Sequence, residues 1–383
     1  MEDVTPTPDF PATEFYLQPI IDPLRNETIM GKSISIQKSA LAKSALINRA
    51  EVPRNHIAFI KTHKCASSTI QNMLMRYGFQ NKLQFALPKD NLNHLGWPRR
   101  FEKEKDLRKM EGKPDILCYH SVFTPDLVSA MPGDTFYFTV VREPISLIKS
   151  SYLYYNLHAA SGMTLKQLIG SMNSPYTIRF RRIPIVNPML YDLGLPKQYM
   201  NDTVSIQRYI DMLDKRIDLV MVVDYFDESL VILRDMLGWS DEDMLIFSAN
   251  FRRKTRDSKE LTLAGMDLDD TVENRRLVSS VSRGDFMVYQ HFKTKLERVI
   301  ATNKMYIEEE VKQLRLSRQK WMKFCLKESL LSEQITDERF RTSGNGTYGY
   351  VLTEDGLRNQ TCVDLAMAEL PWVARLDQYQ LMV

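Results

Sequence analysis

The chain has 383 residues, of which 44% are hydrophobic and 26% are charged, a composition typical of a globular protein with a sizeable core. Its 51 basic and 48 acidic residues leave a net charge of +3, which is too small for nucleic-acid binding driven by overall charge. No uncharged apolar run approaches the ~18 residues of a membrane span, and the N-terminus lacks a signal-peptide pattern, so we expect the chain as given to be soluble.

The first part of the chain, residues 1–50, contains five prolines and little hydrophobic periodicity. We expect these residues to form a stem or an irregular strap across a domain surface.

A strand, a polar turn and a helix are predicted in succession after this segment. The apolar run Ile57–Ile60 indicates a buried strand, and the spacing of apolar residues from Thr69 to Tyr77 indicates a helix. Between them lies Lys-Thr-His-Lys-Cys-Ala-Ser-Ser, residues 61–68, which we call the anion loop. Lysines, hydroxyl groups and the positive end of a helix dipole favour an anionic ligand there. The alternative is a solvated basic turn.

The polar stretch that follows contains His94-Leu-Gly-Trp-Pro-Arg-Arg-Phe101. Aromatic faces stack on pyranose rings, so His94 and Trp97 are candidate sugar-binding residues. A solvated loop with one tucked tryptophan is an equal alternative. A second strand is predicted over residues 115–123, with His120 at its end. Ligands of open parallel sheets bind outside the carboxyl ends of the strands, so His120 is placed to reach the anion loop.

The next motif is a β-branched and aromatic strand over residues 135–141, followed by Arg142, Glu143 and Pro144. The strand composition is typical of a central strand buried on both faces. Proline is tolerated in the first turn of a helix, and Ser150 lies on the helix predicted to follow. The pattern therefore predicts a strand, a capped turn and a helix, with Arg142 at the carboxyl end of the strand.

Strands and helices continue to alternate, which predicts a parallel, doubly wound sheet. The patterns predict a strand over residues 218–226, a helix over residues 229–237 capped by Gly238, and mainly helix over residues 270–335. The basic cluster of residues 251–256 is interpreted as a solvated turn or as a loop that closes over a ligand. The tail after Glu333 is predicted to be irregular.

The four cysteines show no zinc-binding spacing. Cys65 and Cys118 are predicted to be free thiols, and Cys325 and Cys362 to form a disulfide if the compartment is lumenal. Four Asn-x-Ser/Thr sequons give a mild indication of a secretory route; they begin at Asn26, Asn201, Asn345 and Asn359.

The anion loop resembles the 5′-phosphosulfate loop of sulfotransferases that use 3′-phosphoadenylyl sulfate (PAPS). Its Lys-Thr-His-Lys-x-Ala-Ser-Ser-Thr form is similar to that of the galactose 3-O-sulfotransferase family, which includes the galactosylceramide sulfotransferases. Arg142, Pro144 and Ser150 resemble the 3′-phosphate site of this superfamily, with Glu143 where aspartate is more common. The resemblance covers roughly residues 55–300.

This resemblance implies an α/β sulfotransferase (P-loop-like) fold, with a central parallel sheet flanked by helices and a helical C-terminal region. It implies a catalytic domain over residues 51–335, with residues 336–383 as an extension packed on it. The family consists of Golgi membrane proteins with an N-terminal anchor and a lumenal catalytic domain. The anchor either was left out of this chain or is lacking in this member.

The resemblance also implies roles for individual residues. The residues assigned to PAPS are Lys61, Thr62, Lys64, Cys65, Ala66, Ser67, Ser68, Thr69, Arg142 and Ser150. Lys61 or Lys64 is expected to offset charge on the leaving nucleotide, and His63 to act as the base, assisted by His120 or in the reverse roles. His94, Trp97, Asn187 and Asp192 are assigned to the acceptor, and no metal is expected.

The expected reaction is transfer of the sulfuryl group to the 3-hydroxyl of galactose, with a galactosylceramide-type acceptor favoured. Two alternatives stay open. Uronyl 2-O-sulfotransferases share the lysine and Ala-Ser loop but more often have proline where His63 stands. The second alternative is a relative that binds a nucleotide or glycan but has lost catalysis. The two candidate bases speak against it, because a binding protein needs no base. A kinase is disfavoured, because the glycine-rich loop is absent.

Overall fold

Four parallel strands form the centre of the part of the chain that the structure, a computed structural model, describes: residues 47, 49–89, 93–172, 186–249, 265–344 and 346–382. In sequence they are β1 (Ile57–Ile60), β2 (Ile116–Leu117), β3 (Phe136–Val141) and β4 (Leu219–Val222), and their order across the sheet is β2-β1-β3-β4. Strand β3 pairs with a parallel neighbour on each side, as its apolar composition predicted. The predicted parallel sheet is therefore confirmed.

Two strands are shorter than the sequence pattern predicted. Strand β2 has two residues, and beyond it His120 forms an isolated parallel bridge with His94. Strand β4 ends at Val222, because a 3-10 turn begins at the next residue. Apolar composition indicates a buried segment but does not mark where its backbone leaves the ladder of hydrogen bonds.

Helices flank the sheet on the strand connections and continue after it. In chain order they are α1 (Ser67–Gln80), α2 (Lys103–Asp106), α3 (Pro125–Ala130), α4 (Pro144–Tyr154), α5 (Leu157–Ser161), α6 (Leu165–Ser171), α7 (Pro188–Asp192), α8 (Thr203–Arg216), α9 (Phe226–Leu237), α10 (Val272–Thr302) and α11 (Lys304–Cys325). Helix α1 begins two residues before the predicted start. Helix α9 ends at Gly238, whose φ of 67° is the left-handed cap that the sequence predicted. No helix of the described ranges is long and apolar enough to cross a membrane.

The C-terminal segment, residues 326–382, is ordered rather than irregular, so the prediction for the tail was wrong. It contains an antiparallel pair, β5 (Leu326–Leu331) and β6 (Tyr348–Leu352), and the helices α12 (Glu354–Arg358), α13 (Gln360–Ala366) and α14 (Glu369–Met382). Two of these helices begin at side-chain caps, on Thr353 and Asn359, which accept backbone N–H groups. Helix α14 packs on α1, with Trp372 fully buried. Short capped helices of this kind owe their stability to packing that local periodicity does not reveal.

The cysteine prediction is confirmed. Cys325 and Cys362 form a disulfide, which links the end of α11 to α13, and Cys65 and Cys118 are free and buried. Burial raises the pKa of the Cys65 thiol to about 12, so this thiol is unreactive at neutral pH.

Removal of this disulfide is expected to destabilise the protein. The bridge spans 37 residues of sequence, and closing a loop of that length restricts the unfolded chain by about 4 kcal/mol. Denaturant titration of the double variant Cys325→Ser/Cys362→Ser should show a loss of this order. Reductant should destabilise the wild type alone; an equal effect on the double variant would mean that other thiols are responsible.

Several predictions lie wholly or mainly outside the described residues: the segment 1–50, the basic cluster 251–256, and the sequons at Asn26 and Asn345. Of the other two sequons, Asn201 is exposed, and Asn359 is partly exposed and caps α13 by accepting the backbone N–H of Cys362 at 3.2 Å.

Candidate active site

The anion loop connects β1 to α1 by a sharply bent backbone. Lys64 and Ala66 have φ values of 60° and 59°, in the left-handed region that non-glycine residues adopt at a local cost. Ala66 is the N-cap residue of α1. The first-turn N–H groups of a helix lack intrahelical partners, and they coincide here with the positive end of the helix dipole. The backbone therefore has the form of an anion site.

The hydroxyl groups of this region make contacts within the protein. Thr62 Oγ1 donates to the carbonyl of Val140 at 2.5 Å, and Ser67 Oγ donates to the carbonyl of Thr62 at 2.7 Å. Ser68 Oγ donates to Glu369 at 3.2 Å, and Thr69 Oγ1 accepts the N–H of Ala249 at 3.0 Å. These hydrogen bonds hold the loop against β3 and the C-terminal segment. The sequence indicates the same hydroxyl groups as candidate donors to an anionic ligand.

The two lysines of the loop lie in different surroundings. Lys61 is fully buried, and its Nζ lies 2.8 Å from Glu369 Oε1 and 2.5 Å from Gln71 Oε1. Lys64 is half-buried, and its Nζ lies 3.3 Å from the centre of the Tyr154 ring. Lys64 is thus the lysine at the bend of the loop, and Lys61 is held in an interior ion pair.

Arg142, from the motif that follows β3, contacts the anion loop. It follows β3 directly, and its Nη1 donates to the carbonyl of Lys64 at 3.0 Å. Ser150 lies two turns along α4 and is half-buried. Glu143 is the N-cap of α4 and accepts the N–H of Ser146 at 2.8 Å, which gives the glutamate a structural role at the position where aspartate is more common.

Two histidines and a tryptophan form a stack beside the loop. The ring centres of His63 and His120 lie 3.7 Å apart, with an angle of 15° between the ring planes, and the ring centre of Trp97 lies 4.2 Å from that of His63. His94 lies next to them, because its backbone bridges His120. The structure therefore brings His63, His94, Trp97 and His120 into one region.

Asp192 orients this stack from the end of α7. Its Oδ2 accepts the backbone N–H of His63 at 2.7 Å and lies 2.9 Å from His63 Nδ1, while its Oδ1 accepts Trp97 Nε1 at 2.9 Å. The carboxylate is fully buried, so every contact it makes is with the protein. A carboxylate accepts, so Nδ1 of His63 carries a proton, and in the neutral ring it is Nε2 that has the lone pair.

His120 has the same tautomer for a similar reason. Its Nδ1 lies 3.0 Å from the carbonyl oxygen of Lys61, which only accepts. Burial and the neighbouring His63 and Lys61 hold the pKa of His120 well below its usual range. His120 is therefore neutral at neutral pH, and its protonation is opposed by its surroundings.

Asn187 lies at the start of α7, where it is the N-cap residue. It is buried, its Oδ1 accepts the N–H of Asp285 at 2.9 Å, and its Nδ2 donates to the carbonyl of Met200 at 3.2 Å. With these contacts Asn187 fixes the turn that begins α7. In the described structure the amide oxygen and the amide nitrogen of Asn187 are thus both engaged within the protein.

Asp285 holds the first turn of α7 and was not identified from the sequence. Its carboxylate accepts the N–H groups of Met189 and Leu190 at 3.1 and 3.0 Å, next to a break in α10 where Ser282 has non-helical angles. Burial, partly offset by these two hydrogen bonds, raises the pKa of Asp285 to about 7. Through α7 this carboxyl group supports Asp192.

The raised pKa of Asp285 predicts a contribution to stability that depends on pH. In the unfolded chain the group ionises near 3.8, whereas in the folded chain it keeps its proton to about 7. The contribution is therefore complete below the unfolded pKa and falls as pH rises toward the folded pKa. Unfolding titrations between these pH values should show the stability difference between wild type and Asp285→Asn shifting in favour of the variant as pH rises. A constant difference would mean that Asp285 does not titrate in this range.

Tyr154 and Glu369 also touch the loop and were not predicted. Tyr154 lies on α4 beside Lys64, and Glu369 comes from α14. Neither belongs to a local motif, and the pairing of Glu369 with Lys61 joins residues 308 positions apart. Among the described residues no group of three His, Cys, Asp or Glu side chains is arranged to hold a metal ion.

Comparisons with known proteins agree with this geometry. The family model described as galactose-3-O-sulfotransferase matches residues 28–380. The chain is 31% identical to galactose-3-O-sulfotransferase 2 of Mus musculus over 353 residues, which cover 86% of each protein. It is 32% identical to the Homo sapiens protein of the same name over 350 residues, covering 86% of the chain and 84% of the relative. It is 30% identical to Homo sapiens galactosylceramide sulfotransferase over 284 residues, covering 72% and 64%.

Proposed function

Because the chain belongs to the galactose-3-O-sulfotransferase family, we propose that it transfers the sulfuryl group of PAPS to the 3-hydroxyl of a galactose residue on a glycolipid or glycan. The products are 3′-phosphoadenosine 5′-phosphate (PAP) and a sulfated galactoside. A galactosylceramide-type glycolipid is the first acceptor we propose, since one relative carries that name.

The observation that carries this proposal is that Arg142, from the second anion motif, contacts the anion loop, and that His63 of this loop is oriented by Asp192. Arg142 contacts the anion loop at 3.0 Å, and His63 is held by Asp192. A helix N-terminus, Lys64 and Arg142 supply the hydrogen-bond donors and positive charge that a phosphosulfate and a phosphate require. The carboxylates of this region are engaged, Glu369 with Lys61 and Asp192 with His63 and Trp97. The donor set therefore fits PAPS.

PAPS supplies a sulfuryl group attached to a phosphate leaving group. We assign the 5′-phosphosulfate to the anion loop and the 3′-phosphate to Arg142 and Ser150. Lys64 offsets the charge that develops on the leaving oxygen, because it lies at the bend of the loop. As in phosphoryl transfer, the protein contributes mainly position and charge stabilisation.

His63 is the proposed base. Its Nε2 has a free lone pair, and Asp192 at 2.9 Å from Nδ1 stabilises the imidazolium that forms when Nε2 takes the proton of the sugar hydroxyl. His120 lacks such a carboxylate, and its lowered pKa opposes protonation. We therefore assign His120 to hold the acceptor hydroxyl or the ring of His63 in place.

We propose that the protein works in the Golgi lumen. The Cys325–Cys362 disulfide supports an oxidising compartment, and the exposed sequon at Asn201 is compatible with glycosylation there. The assignments of Trp97 and His94 to the acceptor rest on their place next to His63 and His120.

The function is tested by sulfate transfer from labelled PAPS to a panel of acceptors. The panel contains galactosylceramide, a lactosyl lipid, N-acetyllactosamine and a desulfated uronate polymer. Labelled product with galactosides alone supports the proposal, and the preferred galactoside identifies the acceptor. Transfer to the uronate polymer alone identifies a uronyl 2-O-sulfotransferase. PAP binding without transfer to any acceptor identifies a nucleotide-binding relative.

A further inference from the structure

One carboxylate of the C-terminal segment joins the two ends of the anion loop. Glu369 Oε1 lies 2.8 Å from the ammonium of Lys61, the first residue of the loop. Its Oε2 accepts the hydroxyl of Ser68, the last residue of the loop, at 3.2 Å. Glu369 thereby links the first and the last residue of the loop through one carboxylate.

The contact to Lys61 is an interior ion pair. The side chain of Lys61 is 0% exposed and that of Glu369 is 10% exposed, so neither charge is well solvated. A buried charge that loses its partner is strongly unfavourable, and the chain around it rearranges toward water. Without Glu369 the ammonium of Lys61 keeps only the neutral oxygen of Gln71, at 2.5 Å.

Glu369 is held rigidly by its own neighbours. It is the first residue of α14, and Asn72 Nδ2 of α1 donates to the carbonyls of Asp364 and Met367 at 3.0 Å each. Trp372 Nε1 donates to the carbonyl of Asp364 at 3.2 Å, and the disulfide at Cys362 fixes α13. The carboxylate is thus presented to the loop by an ordered and cross-linked element.

We infer that Glu369 is a positioning residue of the donor site. It holds Lys61 and Ser68 so that the backbone N–H groups of the loop and the start of α1 converge on one anion. A hydroxyl has a single proton, and Ser68 directs its proton to Glu369. The donor nucleotide is then bound by the N–H groups, Lys64 and Arg142, while Glu369 acts through the loop. This role rests on the proposed use of PAPS.

The test measures PAP binding to the full chain by calorimetry and, separately, the KM for PAPS and for the galactoside. Glu369→Gln keeps the size of the side chain and removes its charge. We expect the Kd for PAP and the KM for PAPS to rise about tenfold or more, with the KM for the galactoside unchanged. Glu354→Gln is the matched control, because Glu354 belongs to the same segment and is 91% exposed.

A double variant separates positioning from folding. Lys61→Met/Glu369→Met removes both charges, so the thermal stability lost in Glu369→Gln should be recovered in part. The Kd for PAP should nevertheless stay raised, because Ser68 has lost its acceptor. A double variant that regains both stability and wild-type affinity overturns the inference, as does an unchanged Kd in Glu369→Gln. Failure of the wild type to bind PAP contradicts the proposed function itself.

Discussion

Replacement of His63 by alanine is expected to lower kcat about 10²–10⁴-fold and to leave the affinity for PAP nearly unchanged. His63 Nε2 has a lone pair beside the anion loop, and Asp192 stabilises the charge that this ring gains when it takes a proton. Removal of the imidazole leaves the sugar hydroxyl to lose its proton to water. The measurement is the initial rate of sulfate transfer at saturating PAPS and galactoside, together with calorimetric binding of PAP.

The chain offers matched controls for this variant. His56 also pairs with a carboxylate, Asp134 at 2.7 Å, but it precedes β1 at the opposite end of the strands, so His56→Ala should leave kcat unchanged. Asp192→Asn should lower kcat by a smaller factor than His63→Ala, since it removes the charge that favours the protonated ring. A larger loss in His120→Ala than in His63→Ala would exchange the roles of the two histidines.

Replacement of Arg142 by alanine is expected to weaken PAP binding about 10- to 150-fold, the effect of one charge-assisted hydrogen bond worth about 1.5–3 kcal/mol. Arg142 directly follows β3 and contacts the anion loop, which places its guanidinium next to the bound nucleotide in the proposed arrangement. Arg142→Lys should restore only part of the affinity, because an ammonium does not reproduce the bidentate geometry of a guanidinium. Calorimetry with PAP measures both variants.

The choice of nucleotide makes this prediction specific to the 3′-phosphate. Adenosine 5′-phosphate lacks that group, so its affinity should be nearly the same for wild type and Arg142→Ala. Arg298→Ala, a change at an exposed position of α10, controls for the loss of one positive charge. An equal loss of affinity for both nucleotides would mean that Arg142 binds the 5′ end of the donor or maintains the shape of the anion loop.

Sequence patterns predicted the parts of the fold and of the site that are local in the chain. Strand β1, the anion loop and α1 follow one another within 24 residues, and so do β3, Arg142 and α4 within 19 residues, so composition and spacing were sufficient. Parallel strands end at one edge of a sheet, and this rule brought His63, His120 and Arg142 into one region.

The remainder depends on contacts between distant parts of the chain. The local sequence does not distinguish the contacts of Asn187 from those of Asp192. The amide oxygen of Asn187 accepts the backbone N–H of Asp285, whereas the carboxylate of Asp192 orients His63. Likewise, the C-terminal segment looked irregular because its short helices are stabilised by caps, a disulfide and packing on α1. Glu369 could not be identified, because no pattern connects it to Lys61.

The separation of 308 residues between Lys61 and Glu369 has a consequence for how the protein matures. During synthesis the anion loop is made early, and the carboxylate that neutralises Lys61 is made late. Contacts so distant in sequence form slowly, because a large part of the chain must be ordered first. A nascent or partly folded chain therefore keeps Lys61 in water and lacks a formed donor site. With PAPS as the proposed donor, we expect nucleotide binding to appear together with the last stage of folding, so that PAP added to a refolding mixture binds completed molecules.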